Sequence, residues 1–496
     1  MNLTNDANLN EANESSSSSN FIEEGRRSHD APTPAGLAEF IKQGWAPTPL
    51  LNLTPAAVVP FAQARQAKLS ALYPGVRLVI PAGRLKVRSN DTDYRFRAHS
   101  AFIWLSGLSA TDVVPDSVLV FEPQGEGHRV TLFVHPRSDR NSEGFFTNSK
   151  HGEFWIGRRM TLEETATKYG INTKNLGELV ELLDDSQDTV ILSGVDKKVD
   201  KLVEKQKKRE KKLAITLDEM RLIKDSYEIN EMQKAIDATS RGFVDCVQAL
   251  PAATSVARGE RIVEAAFFGR ARLEGNELGY DTIAASGSHA CILHWIRNDG
   301  AVRNGDLILI DAGVEMESHY TADITRTLPV NGKFSLAQRE LYMLVYEAQR
   351  AGFAAIKPGV PFKAVHEAAQ AVLAQGLEKL GVLPVSAEES LKPEAGFHRR
   401  WSVHGTCHML GIDVHDCAKA REENYRKGVI EEGMIFTVEP GLYVHSDDQL
   451  FPEQYRGIGI RIEDDILVTR NGCQVLSRSL PSHPDEVEVW MANIAR

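Results

Sequence analysis

The chain has 496 residues, 42% of them apolar, and 68 Asp and Glu against 57 Lys and Arg, for a formal net charge of −11. That length exceeds what one ordinary core fills and predicts a soluble protein of two domains, one of them large. The acidic balance argues against non-specific nucleic-acid binding, which draws its affinity from phosphate neutralisation, and no apolar stretch approaches the roughly 20 residues of a membrane span.

The amino-terminal residues 1–48 are polar, with a serine run from Ser15 to Ser19, and run into Ala46-Pro47-Thr48-Pro49. Such a composition buries too little surface to order itself, so a disordered tail is expected. It also lacks the basic start and apolar core of a secretion signal. Five cysteines, Cys246, Cys291, Cys407, Cys417 and Cys473, are few, odd in number and widely spaced. They suit a reducing compartment, and a cytoplasmic location is expected.

Residues 49–200 carry short apolar runs (Val76 to Ile80, Val118 to Phe121, Val130 to Val134) between Gly, Pro and charged segments, which predicts a mixed α/β domain. The basic stretch in 201–217 is diluted by Glu204 and Glu210, is rich in helix formers and has no interleaved aromatic residue on which a base could stack. It reads as a solvated helical linker and not as a nucleic-acid patch.

Residues 218–496 form the second domain. Apolar residues at helical spacing (Met232, Ala235, Ile236, Phe243, Cys246, Val247) predict a helix from Asp218 that stops at Pro251, and a second follows over Val256 to Glu274. A third opens on the capping-box pattern Ser335-Leu336-Ala337-Gln338 and ends near Pro358-Gly359. Strand-like runs lie at Asp306 to Ala312, Asp323 to Leu328, Ile435 to Val444 and Ile458 to Val468. The fold class expected is α+β.

Charged groups interrupt those strands. Asp311 ends one apolar run and Asp323 begins the next, so a short hairpin can bring the two carboxylates together. Glu439 lies before Pro440-Gly441, and Arg461 and Glu463 share a face by the period of two. A histidine-rich stretch, His404 to His415, lies between. Each residue alone has an ordinary structural explanation in turn chemistry or a satisfied core histidine. Two Asp, one His and two Glu together in otherwise apolar strands do not, because unpaired buried carboxylates are costly. Positive charge is expected among them.

These residues resemble the metallopeptidases of the pita-bread fold, which include aminopeptidase P, prolidase and methionine aminopeptidase. The resemblance covers about residues 213–480, and its metal ligands match Asp311, Asp323, His408, Glu439 and Glu463. Upstream, Asp91 to Arg97 and Ser100 to Leu108 resemble the amino-terminal domain of aminopeptidase P, a domain that methionine aminopeptidase lacks. The resemblance implies that Asp323 and Glu463 bridge two metals, that Asp311 completes one and that His408 and Glu439 complete the other. Four carboxylates and one imidazole form a hard site that suits a pair of Mn²⁺ ions, with Co²⁺ or Zn²⁺ also able to enter. Two divalent ions balance the four negative charges.

The implied activity is that of an aminopeptidase cutting between an amino-terminal residue and a following proline, with a metal-bridging hydroxide as nucleophile. Glu439 would shuttle the proton, His415 and His294 would serve the oxyanion, His404 would line the proline pocket, and Arg461 would hold a metal carboxylate or the substrate terminus. His289 and Cys407 are given no role. A prolidase acting on Xaa-Pro dipeptides is the alternative, and a catalytically inactive binding protein of the same fold is the alternative from another class; intact ligands speak against the latter. The stretch Gly152 to Arg159, with Trp155, is closer to aminopeptidase P, although prolidases carry a similar one. The family implies a homo-oligomer. His404-Gly405-Thr406-Cys407-His408 has zincin spacing but no Glu after the first His, and Ala284 to Ser288 fits no phosphate-loop pattern.

Overall fold

The computed structural model describes residues 33–142 and 144–494. The chain divides into two compact units, Met1–Leu213 and Ala214–Arg496. The first is built on a five-stranded sheet in the order Asn172–Asn175, Gly127–Val134, Val118–Gln124, Arg77–Pro81, Thr189–Ile191. Its central pairs are antiparallel, with Val79 opposite Val120 and Val120 opposite Thr131, and both edge strands join in parallel. The middle strands are covered on both faces, which is why Val118 to Phe121 is continuously apolar instead of alternating. Helix Leu162–Tyr169 starts on a capping box in which Thr161 and Glu164 exchange hydrogen bonds.

The expected tail lies outside the described residues over 1–32. From residue 33 the expectation of disorder does not hold: Ala35–Phe40 is a short helix. Behind it the Trp45 ring meets Phe145 edge-on at 5.7 Å and lies under the Arg140 guanidinium at 4.6 Å. Those partners lie about a hundred residues away in sequence, so local composition does not reveal them. The basic stretch is solvated at Lys207, Lys208, Lys211 and Lys212, as expected, but differs in extent from a linker helix over 201–217. It is α-helical only from Lys207, and the helix continues to Met220 with Leu213 and Leu217 buried.

The second unit runs the same succession twice, a helix pair followed by antiparallel strands. Ser226–Ala253 and Gly259–Glu274 precede the sheet Ile283–Ser286, Leu307–Ala312, Ile324–Pro329. Leu336–Ala355 and Lys363–Lys379 precede two sheets, Ile435–Val438 with Asp464–Thr469 and Gly472–Val475, and Gly441–Val444 with Ile458–Arg461. The first helix starts later than expected, at an Asp225–Glu228 capping box, and passes through Pro251 to Ala253. A proline in the last turn removes only one ladder bond there. Gly242 lets Phe267 close on this helix, since a Cβ would sit 2.6 Å from its ring. The third helix opens on the Ser335–Gln338 box and ends at Ala355.

Two runs expected as single strands are each broken in two, at Glu439-Pro440 and at Ile462-Glu463. Pro440 has no N–H for a ladder, and each break is where the chain leaves one sheet for another. The glutamates therefore stand where the strands turn away from each other.

Candidate active site

Strand pairing brings the first two carboxylates together. Leu307–Ala312 and Ile324–Pro329 are antiparallel neighbours with Asp311 opposite Thr325, so Asp323 lies just before the partner strand. The Tyr280 hydroxyl is 2.7 Å from Asp311 Oδ1 and 2.5 Å from Asp323 Oδ1. One hydroxyl proton cannot serve two ionised carboxylates at once, so the pair is short of positive charge.

The broken strands deliver the rest. His404 to His408 is not helical but runs beside Ile435–Val438, with the Thr437 N–H on the His408 carbonyl at 2.9 Å and the Glu439 N–H on the Thr406 carbonyl at 2.8 Å. His408 Nε2 thereby stands 3.4 Å from Asp323 Oδ2 and 3.5 Å from Glu439 Oε1. His408 Nδ1 faces the Met409 carbonyl at 3.1 Å, which puts its proton on that nitrogen and turns Nε2 toward the carboxylates. Donor atoms of Asp323, His408 and Glu463 all lie within 4.8 Å of one another.

The electrostatics show the same deficit. Burial, with Asp323 and Glu439 adding to it, holds Glu463 well above the carboxylate range. Burial also raises Asp311 against the pull of Arg461, and it pushes Glu439 up to about 7 against His408 and Arg461. Burial opposes charge on His408, yet Asp323 and Glu439 lift it to about 9. Carboxylates packed until they resist ionisation, with an imidazole aimed between them, fit divalent cations: oxygen donors predominate and no thiolate takes part. Asp311, Asp323, His408, Glu439 and Glu463 are the residues that would hold them.

His294, His404 and His415 line the same cavity, of about 870 Å³, and so does His366, whose Nδ1 lies 2.8 Å from Thr406 Oγ1. The His415 ring meets that of His408 edge-on at 4.4 Å, and burial, then His408, lowers its pKa. His294 enters from the segment after Ile283–Ser286. His404 is wired further: Arg461 Nη1 donates to the Tyr443 hydroxyl at 2.9 Å, which lies 2.7 Å from His404 Nε2, while His404 Nδ1 faces the Gly405 carbonyl at 2.8 Å. Burial, with Arg461, lowers His404 to about 3, so it stays neutral.

Arg461 lies behind the carboxylates. Its Nη2 donates to Asp311 Oδ2 at 2.5 Å and its Nε to Thr325 Oγ1 at 3.2 Å, and with Tyr443 it has partners on every side. Of its two expected roles, holding a metal carboxylate is the one that this geometry supports. Sequence reasoning missed Tyr280, Tyr443, Thr325 and Asp465. Thr325 donates to Glu463 Oε2 at 2.7 Å, and the Asp323 N–H reaches Asp465 Oδ2 at 3.2 Å. The period of two from Asp323 could have marked Thr325; nothing local marks Tyr280 or Tyr443.

A second cluster, Asp116, His135 and His151 in the first unit, also brings possible ligand atoms together. Its imidazoles are stacked at 4.0 Å and 29°, so their in-plane lone pairs run side by side instead of converging, and Arg84 occupies Asp116 Oδ1 at 2.9 Å. That geometry is packing and not chelation.

The comparisons agree with this division. Residues 230–470 match the model of metallopeptidase family M24, and residues 61–191 match the aminopeptidase P, N-terminal domain. The chain belongs to metallopeptidase family M24. It is 50% identical over 459 residues to Xaa-Pro aminopeptidase 1 of Streptomyces coelicolor, covering 92% of each chain. Among solved structures it resembles Escherichia coli aminopeptidase P with the inhibitor Pro-Leu (30% identity, TM-score 0.76, 89% of this chain and 99% of that one). It is also similar to the zinc-substituted form of that enzyme in complex with product (32% identity, TM-score 0.76, 89% and 100%).

Proposed function

We propose that this chain is a two-metal Xaa-Pro aminopeptidase, which removes the residue in front of a proline. The observation that carries the reading is the convergence of Asp311, Asp323, His408, Glu439 and Glu463 on one cavity that His294, His404 and His415 also line. Curated relatives of that name, matched over nearly the whole chain, support it. By the family resemblance Asp323 and Glu463 would be shared by the two ions, Asp311 would complete the holding of one, and His408 and Glu439 that of the other; Asp323, His408 and Glu463 bring donor atoms within 4.8 Å of one another. Bound divalent cations supply water activation and carbonyl polarisation, and Mn²⁺ matches the oxygen-rich donors best.

The chain's own residues do the rest. Glu439 holds and passes the proton between water and leaving amine. His415 and His294 donate hydrogen bonds to the oxygen on which negative charge develops; a neutral imidazole is enough for that. His404, fixed by Tyr443 and Gly405, forms a wall of the proline subsite. Arg461 favours the ionised form of Asp311 against burial and holds it in place.

A cytoplasmic location is supported by five unpaired cysteines. Among the described residues no helix is long and apolar enough to cross a membrane. A homo-oligomer is supported by Phe154, Trp155 and Ile156, each at least half exposed and adjacent on the first unit. The deciding experiment compares hydrolysis of Gly-Pro with that of an Xaa-Pro-Xaa peptide, with Mn²⁺ supplied. Cleavage of the longer peptide at the bond before proline, lost in chelator, is expected. Activity confined to the dipeptide would make the enzyme a prolidase, and cleavage of neither would refute the reading.

A further inference from the structure

Glu260 is fully buried in the first turn of helix Gly259–Glu274, away from the ligand set, and nothing in the proposed chemistry uses it. Four N–H groups from one segment converge on its carboxylate. Oε1 accepts from the Ser286 backbone at 2.8 Å and from His289 Nδ1 at 2.8 Å. Oε2 accepts from Trp295 Nε1 at 2.8 Å and from the Gly300 backbone at 2.6 Å. The Glu260 N–H in turn donates to the Gly300 carbonyl at 3.1 Å. His289 stacks on Trp295 at 3.9 Å, and Gly300 has to be glycine, since a Cβ would lie 2.5 Å from the His289 ring and 2.8 Å from the Glu260 carboxyl carbon.

A carboxylate offers about four lone-pair sites, and here all are taken. Their donors are spaced along 286–300, and His294 lies between the second and the third. Its neighbours Leu293 and Ile296 line the cavity with it, while Ile292 and Ile296 are close to half exposed. On either side of His294, Leu293 and Trp295 pack on the core formed by Ile283, Ala285, Ala290, Cys291, Leu309 and Tyr443, so the path of the segment is set by that packing together with the ties to Glu260.

We infer that Glu260 is a positioning residue for His294, fixing through His289, Trp295 and Gly300 the segment that presents this imidazole to the substrate carbonyl. The inference rests on the reading of His294 as a substrate-contacting donor. It assigns His289 and Trp295 a shared function as the two side chains through which the buried charge holds the segment. A small displacement of a catalytic donor is enough to cost turnover.

The test is a double-mutant cycle on kcat with an Xaa-Pro-Xaa peptide and Mn²⁺, using Glu260→Gln, His294→Ala and the pair, with bound metal measured in each. Gln keeps the shape but turns an N–H-bearing end toward two of the four donors. Glu260→Gln is expected to lower kcat by about tenfold or more with metal content unchanged, and to lower it by less than about twofold when His294 is already Ala. An equal loss in both backgrounds shows a general structural role and overturns the inference. If Glu260→Gln does not fold, Trp295→Phe, which removes one donor and keeps an aromatic ring against His289, is put through the same cycle with the same criteria. A His294→Ala enzyme of normal turnover overturns the role of His294 itself; a slow one that Glu260→Gln slows further overturns only the role of Glu260.

Discussion

Replacing Thr325 by Val removes one hydroxyl from the site and changes almost nothing else in shape. The lost contacts are the 2.7 Å hydrogen bond to Glu463 Oε2 and the 3.2 Å bond accepted from Arg461 Nε. Arg461 keeps Asp311 and Tyr443, so most of the loss falls on Glu463, whose carboxylate is then buried with one partner fewer. A buried hydrogen bond to a charged group contributes about 1.5–3 kcal/mol. Taken at about 2 kcal/mol and assigned to metal binding, that is a roughly 30-fold weaker site, within the 10- to 100-fold range of outer-shell substitutions. Chelator-competition titration with Mn²⁺ measures the affinity, and thermal unfolding of metal-free protein measures any part that falls on the fold instead. An affinity within twofold of the wild type, with unfolding also unchanged, would refute the argument that Thr325 orients Glu463.

Asp323→Asn and Glu463→Gln should each lose metal as well as turnover, because both are proposed to bridge; metal analysis finding two tightly held ions in either variant contradicts that. His415→Ala should lower turnover by about a hundredfold with both ions retained, and a change confined to KM would make His415 a binding residue. Acid should destabilise the first unit. Burial and then Arg159 lower His135 to about 4, and burial and then His135 lower His151 to about 3, both below the ordinary 6.5. Each ring thus contributes stability that is complete above the unfolded pKa and lost as pH falls through the folded value, at up to about 1.4 kcal/mol per pH unit. His151→Phe keeps a ring on His135 and should flatten the fall in urea stability between about pH 6 and pH 4.5, where only unfolded His151 takes up a proton; an unchanged slope would show that folding does not lower the His151 pKa.

Much of the site was legible before any fold was known. Asp311, Asp323, Glu439 and Glu463 are conspicuous because each lies within or at the end of an apolar run, where a charge without a partner is costly, and a one-dimensional pattern suffices to register that conflict; His408 was marked by the resemblance. The capping box at Ser335 and the helical spacing from Met232 to Val247 are local in the same sense: their partners lie three or four residues away.

Other features depend on contacts between distant segments. The strand runs containing Glu439 and Glu463 look continuous in sequence and are broken because each half pairs with a different sheet. Tyr280 and Tyr443 carry no periodic signal, and their importance comes from carboxylates and a guanidinium that strand pairing brings to them. Order at Trp45 depends on Phe145 and Arg140, and the course of the His294 segment on a glutamate at position 260. The sequence alone could show which side chains are too polar for their surroundings. Only the tertiary structure decides which of them meet, because a hydrogen bond or an ion pair acts over a few ångströms of space however many residues separate its partners.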